Sequence, residues 1–220
     1  MVRRIMADDN SCLFSAISYL MLRQRSAEAE LRCVVADAIM KDNSMQVGNG
    51  LPQFNEGILG QDPASYCTWI KQPSSWGGPI ELNILAQHFG VMINAYDIRT
   101  MRKDTYGGIH GVEAIESPLN GLQKCYIIYD GLHYDALALS PSPSAPEYDD
   151  ITTFVAGSEE ERIMEDQAMK YVSNLHVTGN FTDTSSFTLQ CSICMRGLKG
   201  EKEAMMHAQM TGHSKFQEYK

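Results

Sequence analysis

No stretch of this 220-residue sequence approaches the ~20 consecutive apolar residues that a membrane-crossing helix needs. The two arginines near its start, in Met1-Val2-Arg3-Arg4-Ile5-Met6-Ala7-Asp8, have no apolar segment behind them to make a secretory signal. Membrane insertion is therefore not expected, and the cytoplasm, with the nucleus as a second compartment, is the expected location. Positive charge is also scarce: 18 lysines and arginines stand against 27 acidic residues, and the formal charge of −9 is spread along the chain. Duplex nucleic acid and anionic lipid call for a basic footprint, so neither is expected as the main partner, and a basic protein suits better. The six cysteines, Cys12, Cys33, Cys67, Cys125, Cys191 and Cys194, lack the spacing of a disulfide framework. As thiols they leave two uses open, nucleophilic chemistry and metal binding. The 44% of apolar residues suffice for one ordinary domain with a small module beside it.

Asp9-Asn10-Ser11 is a run of good helix N-caps, and Cys12, Leu13, Phe14, Ala16, Ile17, Leu20 and Met21 follow it with helical spacing, which puts Cys12 in a first turn. A second helix is expected from near Ser26, with Leu31, Val34, Val35, Ala38 and Ile39, and a third from Ile80 to His88 behind the breaker Trp76-Gly77-Gly78-Pro79. Val91 to Tyr96 and Cys125 to Tyr129 read as strands, and Asp130-Gly131 turns the latter into another strand from His133 to Leu139. Helices gathered before strands indicate an α+β or three-layer domain. The Gly-rich polar stretch between Arg102 and Gln123 reads as a mobile loop. Pro141 to Pro146, with the acidic Glu147 to Asp150 behind it, reads as a linker or a surface-hugging loop, and an amphipathic helix follows from about Glu159 to Asn174. The expected organisation is a main domain over residues 1–140, a linker and packing helix over 141–186, and a terminal module over 187–220.

A thiol attacks as thiolate, and a helix N-terminus favours that anion through its dipole and free N–H groups; Cys12 is placed for this. The partner must be an imidazole held by a third polar group. His133 follows a strand and a tight turn, and Asp135, two residues on, points to the same face of its strand and can reach the ring. Spacing alone leaves the bland reading open, in which Cys12 is a small buried hydrophobe and His133 a surface residue. Cys33, Cys67 and Cys125 read as core, His88 and His176 as helix ends, and His110 as a member of the Gly-rich loop.

The tail holds a second constellation. Cys191, Cys194, His207 and His213 are spaced CxxC, twelve residues, His, five residues, His, within the range of a ββα zinc site. Two thiolates and two imidazoles close a tetrahedron, so a zinc ion here is expected to be structural and not catalytic. The mixed charges of Glu201-Lys202-Glu203 form no basic stripe, so a protein-contact or structural role is expected of the finger.

Asp8-Asp9-Asn10-Ser11-Cys12-Leu13-Phe14 resembles the Cys-loop of the ovarian-tumour (OTU) deubiquitinases, and Tyr129-Asp130-Gly131-Leu132-His133-Tyr134-Asp135 resembles their His-loop. Tyr66-Cys67-Thr68-Trp69-Ile70 and Trp76-Gly77-Gly78-Pro79-Ile80-Glu81-Leu82 are similar to family segments in the same order. The likeness is greatest to the subgroup of ER-associated degradation, whose members carry Asp-Asn-Ser-Cys and end in a two-Cys two-His finger. It implies a papain-like cysteine protease domain, a small central sheet flanked by helices, that hydrolyses isopeptide bonds after the C-terminal Gly of ubiquitin. Cys12 would attack, His133 would protonate the leaving amine, and backbone N–H groups from Asp9 to Cys12 would form the oxyanion hole. Asp9 and Asp135 both enter as candidate members of the catalytic set, Asp135 to orient the imidazole and Asp9 to shape the loop. Leu132, Asn10, Trp76 and Gly77 would border the channel for the ubiquitin tail. Ubiquitin and polyubiquitin chains are the implied partners. The subgroup's hexameric AAA unfoldase is another, reached through an N-terminal ubiquitin-like domain, whereas only eleven residues precede Cys12 here. The segment from Gly107 to Asn120 is longer than in relatives and is expected to affect access or linkage choice. A catalytically weak ubiquitin-binding adaptor and a finger-mediated nucleic-acid binder compete with the enzyme; the intact Cys12, His133 and Asp135 speak against the first and the acidity against the second.

Overall fold

The computed structural model describes residues 1–44, 53–107, 121–183 and 188–199, with positions 203, 206, 207, 210, 211, 213 and 216–218 of the C-terminal segment. The chain opens on a short strand, β1 (Val2–Arg4), and its first helix, α1, spans Cys12–Leu22. Every residue from Leu13 to Leu20 is buried, all round the helix, as only a helix inside a core can be. Arg23, in the left-handed region, stops α1 with its N–H on the Tyr19 carbonyl. Then come α2 (Glu28–Ser44), α3 (Glu56–Leu59) and α4 (Pro63–Ile70). The expected breaker Pro79 occupies the first turn of α5 (Pro79–Phe89), where its missing N–H leaves no bond unmade. Gly90, at φ +65°, closes α5 and leads straight into β2 (Val91–Asp97).

With β3 (Lys103–Tyr106), β4 (Gln123–Tyr129) and β5 (Tyr134–Ala138), the strands form a sheet in the order β1-β5-β4-β2-β3, in which β2 and β4 run parallel. A further strand, β6 (Phe154–Val155), pairs with the first residues of β4. Both faces of the sheet are covered. On one, Ile93, Cys125 and Ile127 pack with Phe14, Ile17, Val35, Ile39 and Leu85 of the helical layer. On the other, Tyr96, Tyr126, Ile128 and Leu137 meet Phe154 and one side of α6 (Glu159–Val177). Two-sided cover explains why β2 and β4 are almost continuously apolar instead of alternating.

Residues 141–177 are fastened to this body. Asp150, buried, accepts from Arg4 Nε at 2.7 Å and Nη2 at 2.8 Å and from the Tyr19 hydroxyl, and Leu139 bridges to Ile151. Met164 and Val172 of α6 are fully buried, each burial stabilising by about 1.5–3 kcal/mol. Of the two readings of the proline-rich stretch, the surface-hugging loop is the one these contacts describe.

Two expectations are corrected, and a third is extended. Lys103–Tyr106, read as part of a mobile loop, is an edge strand paired with β2, its exposed positions polar as an edge requires; residues 108–120, His110 among them, lie outside the described residues, so the expected effect of the 107–120 segment does too. Cys33, read as core, is exposed, because it sits about 200° around α2 from the buried Leu31. The terminal module has a third strand: β7 (Thr188–Cys191) pairs with β8 (Gly197–Lys199) on one side and with β9 (Phe216–Glu218) on the other. A ββα outline omits β9.

Candidate active site

Cys12 is the first residue of α1, half-buried at the end of a shaped loop. Asn10 adopts φ +66°, a conformation its short polar side chain tolerates better than most. The Asp9 carboxylate accepts the Ser11 N–H at 3.0 Å, so Asp9 braces its own loop. Trp76 Nε1 donates to Asn10 Oδ1 at 2.6 Å. Gly77 beside it has no room for a side chain: a Cβ would meet the Phe14 ring at 3.0 Å and Leu13 at 3.2 Å. From below, the buried Arg32 of α2 donates through Nη2 to the Asn10 carbonyl (3.2 Å) and Ser11 Oγ (3.1 Å), and through Nη1 to the Ile70 carbonyl (2.8 Å). Its guanidinium lies 4.2 Å from the centre of the Phe14 ring.

The β4–β5 hairpin delivers the imidazole. Asp130 Oδ1 accepts the N–H groups of Leu132 (3.1 Å) and His133 (2.8 Å), which tightens the turn. Gly131, at φ +107°, lies so close to the segment after α6 that a Cβ would stand 2.1 Å from the Thr182 carbonyl oxygen. His133 Nε2 lies 3.1 Å from Asp135 Oδ1, leaving Nδ1 as the ring nitrogen available for proton exchange. Asp135 is fully buried and also accepts from Met6 N–H and Arg3 Nε, each at 2.6 Å. One residue past His133, the Tyr134 N–H donates to Cys12 Sγ at 3.4 Å, joining positions 122 residues apart.

Burial pushes the Cys12 thiol above its ordinary value; the N–H groups of Tyr134 and Leu13 pull it down, and the negative charges of Asp135 and Asp9 push it up again. The sum is upward, so the helix start alone does not favour the thiolate. Attack therefore needs a base. In front of the sulfur is a cleft of about 250 Å³ walled by Asn10, Trp76, Gly77, Leu132 and Tyr134. Trp76 is 54% and Leu132 44% exposed, two large apolar side chains at the mouth of a narrow slot. A larger hollow of about 570 Å³ between α2 and α5 contains no thiol among its described residues.

Residues 7–134 match the OTU-like cysteine protease family, over more than half of the chain. The chain belongs to that family. The match takes in Cys12 and His133 and stops one residue short of Asp135. Residues 185–219 match the C-terminal C2H2-type zinc finger of ubiquitin thioesterase OTU1. Along its whole length this OTU protease is 43% identical to the OVARIAN TUMOR DOMAIN-containing deubiquitinating enzyme 2 of Arabidopsis thaliana, 98% of which it covers. It is 38% identical to ubiquitin thioesterase OTU1 of Dictyostelium discoideum and 32% to that of Homo sapiens, with 99% of this chain aligned in each case. It spans 61% and 57% of the length of those two relatives. Among solved structures, an OTU domain in complex with ubiquitin is similar at a TM-score of 0.65 and 26% identity, over 82% of this chain and 89% of that one.

In the OTU protease's finger, the ligand atoms of Cys191, Cys194, His207 and His213 all lie within 4.8 Å of one another. Cys191 Sγ is 3.6 Å from His213 Nδ1 and Cys194 Sγ is 3.4 Å from His207 Nε2. Those separations fit the edge, about 3.5 Å, of a tetrahedron with Zn–S near 2.3 Å and Zn–N near 2.05 Å. His207 is helical and His213 lies beyond the helical residues.

The structure thus gathers Asn10, Cys12, Trp76, Gly77 and Leu132 in the wall of one cleft, places the bonded pair His133 and Asp135 on the hairpin next to its lining residues Leu132 and Tyr134, and turns Asp9 to its own loop. Sequence reading missed Arg3, Arg32 and the Tyr134 N–H. Arg32 had a signal, a charged residue next to Leu31 in the apolar face of α2; a pairing between Arg3 and Asp135 had none, because the two are 132 residues apart.

Proposed function

We propose that Cys12 is the nucleophile and His133 the acid–base group of a ubiquitin thioesterase of the OTU1 type, a deubiquitinating cysteine protease that cleaves the isopeptide bond after the C-terminal glycine of ubiquitin. The observation that carries the reading is the pairing of the Tyr134 N–H with Cys12 Sγ, beside His133 bonded to Asp135. His133 Nδ1 takes the thiol proton as sulfur attacks the carbonyl carbon. The oxyanion is held by backbone N–H groups of the loop from Asp9 to Cys12, which the bonds to Asp9, Trp76 and Arg32 keep rigid. The imidazolium then protonates the leaving lysine amine, the C–N bond breaks, and an acyl-enzyme remains. Water, deprotonated by His133, releases the carboxylate and restores the thiol. Asp135 holds the ring, and Asp9 holds the loop.

A slot of about 250 Å³ suits a substrate tail without side chains, such as Gly-Gly. Trp76 and Leu132 flank that tail and Asn10 and Gly77 line it. The four ligands of the finger hold one zinc ion, which supplies a cross-link in a segment too small to fold alone and, with all positions filled, no chemistry on the substrate. The setting is protein quality control in the cytoplasm, with polyubiquitin chains as substrates.

The test is reaction with ubiquitin carrying a C-terminal thiol-reactive electrophile. An adduct is expected on the unmutated protein, none on Cys12→Ala and little on His133→Ala. No adduct on the folded unmutated protein overturns the enzyme and leaves a ubiquitin-binding adaptor.

A further inference from the structure

The β1 strand lies outside the cleft, yet it contributes Arg3 to the carboxylate behind the catalytic histidine. Arg3 Nε donates to Asp135 Oδ2 at 2.6 Å, while His133 occupies the other oxygen, Oδ1, at 3.1 Å. The Arg3 Nη2 atom is 3.7 Å from Asp130 Oδ2, and Asp130 Oδ1 is the acceptor that closes the His133 turn. Arg3 therefore spans the two acidic residues that bracket His133, one before it and one after. Its side chain is 17% exposed and that of Asp135 1%, so solvent screens this pair weakly.

The geometry points to Arg3 as a positioning residue of the reaction, which fixes the orientation of His133 through Asp130 and Asp135 and tempers the pull of Asp135 on its proton. The inference rests on the assignment of Cys12 and His133 given above. Asp135 without a cation beside it would favour the protonated imidazole; the guanidinium on its second oxygen offsets that preference. Attack requires His133 to accept the proton of Cys12, so the acid limb of the kcat/KM profile reads how the ring holds a proton in each variant. The titratable groups that face this corner are Arg3 from β1, Asp9 and Cys12 from the nucleophile loop and α1, and Asp130, Tyr134 and Asp135 from the hairpin. Arg32 of α2 faces the nucleophile loop from below, and among the described residues Arg3 is the cation bonded to Asp135.

The experiment measures kcat, KM and the acid limb for the unmutated full chain, Arg3→Gln, Arg3→Lys and a control of equal charge change, Arg162→Gln on the exposed side of α6. The substrate is a ubiquitin C-terminal fluorogenic ester or amide. Arg3→Gln is expected to lower kcat about tenfold with KM within about twofold, as a displaced catalytic group does, and to move the acid limb up by about one pH unit. Arg3→Lys keeps the charge and loses the fork, so its acid limb stays while kcat falls several-fold. A folded Arg3→Gln with the acid limb and kcat of Arg162→Gln overturns the inference. If Arg3→Gln does not fold, Arg3→Lys decides: reduced kcat at unchanged KM supports the bridging role, and unchanged kcat overturns it. If the unmutated chain neither turns over nor labels with the ubiquitin electrophile, the catalytic reading itself falls, an outcome distinct from active enzyme indifferent to Arg3.

Discussion

The Tyr134 N–H donates to Cys12 Sγ, so the hairpin that presents His133 reaches the proposed nucleophile through its backbone. A β5 residue one past the histidine thereby sets the distance between hairpin and helix. The contact also pulls the thiol downward against the larger effect of burial.

Asp135 and Asp9 are separable by substitution. Asp135→Asn keeps the shape but offers His133 an amide, and kcat is expected to fall by 10²-fold or more, as when a triad carboxylate is lost. Asp9→Ala removes the brace on the Ser11 N–H and is expected to cost about 1 kcal/mol of stability and about tenfold in kcat. Steady-state kinetics with chemical denaturation check both. A larger kcat loss in Asp9→Ala than in Asp135→Asn would reverse the two roles.

Arg32→Met keeps most of the stem's packing and strips the donors from the Asn10, Ile70 and Pro73 carbonyls. Leaving buried acceptors unpaired costs about 2–3 kcal/mol in total. Urea unfolding is expected to show that loss, and a ubiquitin electrophile should label the folded fraction of the variant more slowly, because the nucleophile loop loses its underside.

Much of this arrangement is legible before folding. The alternation that puts Asp135 on the face of His133 and the N-cap run before Cys12 are local patterns, and so are the turn at Asp130-Gly131 and the finger's ligand spacing. What stays illegible is long-range: Arg3 reaches Asp135 only because β1 pairs with β5, and a three-residue strand carries too little pattern to announce itself. Cys33 shows the converse failure. An apolar residue beside an apolar face looks buried, and 100° per residue decides otherwise.

Asp150 makes stability depend on acid in a predictable direction. Burial raises its pKa, but the hydrogen bonds from Arg4 and Tyr19 and the charge of Arg4 outweigh this and hold it below the ordinary carboxylate value. A depressed folded pKa contributes stability that is complete above the unfolded value near 3.8 and is lost as pH falls through the folded one. Asp150→Asn is therefore expected to be destabilised by about 3 kcal/mol at neutral pH, with the gap to the unmutated protein narrowing steadily as pH falls below 3.8. Denaturation curves at pH 7, 4 and 2.5 measure the difference; a gap that stays constant would remove the carboxylate's charge from the account.

The finger and the thiol site divide by metal. Cys191 belongs to a set whose four ligand atoms lie within 4.8 Å, and Cys12 sits in a cleft with no described residue of that set in its wall. Purified protein is expected to carry one equivalent of zinc, retained in Cys12→Ala and lost in Cys191→Ser, by metal analysis. Loss of zinc should abolish the β7–β8–β9 sheet, since the ligands, not a core, close it. Hydrolysis of a small C-terminal ubiquitin derivative should stay within about twofold in Cys191→Ser, because every group that handles the proton and the oxyanion lies between Arg3 and Asp135. If zinc were instead lost in Cys12→Ala, the nucleophile would be a ligand, and the division of the cysteines into one reacting thiol and two metal thiolates would fail.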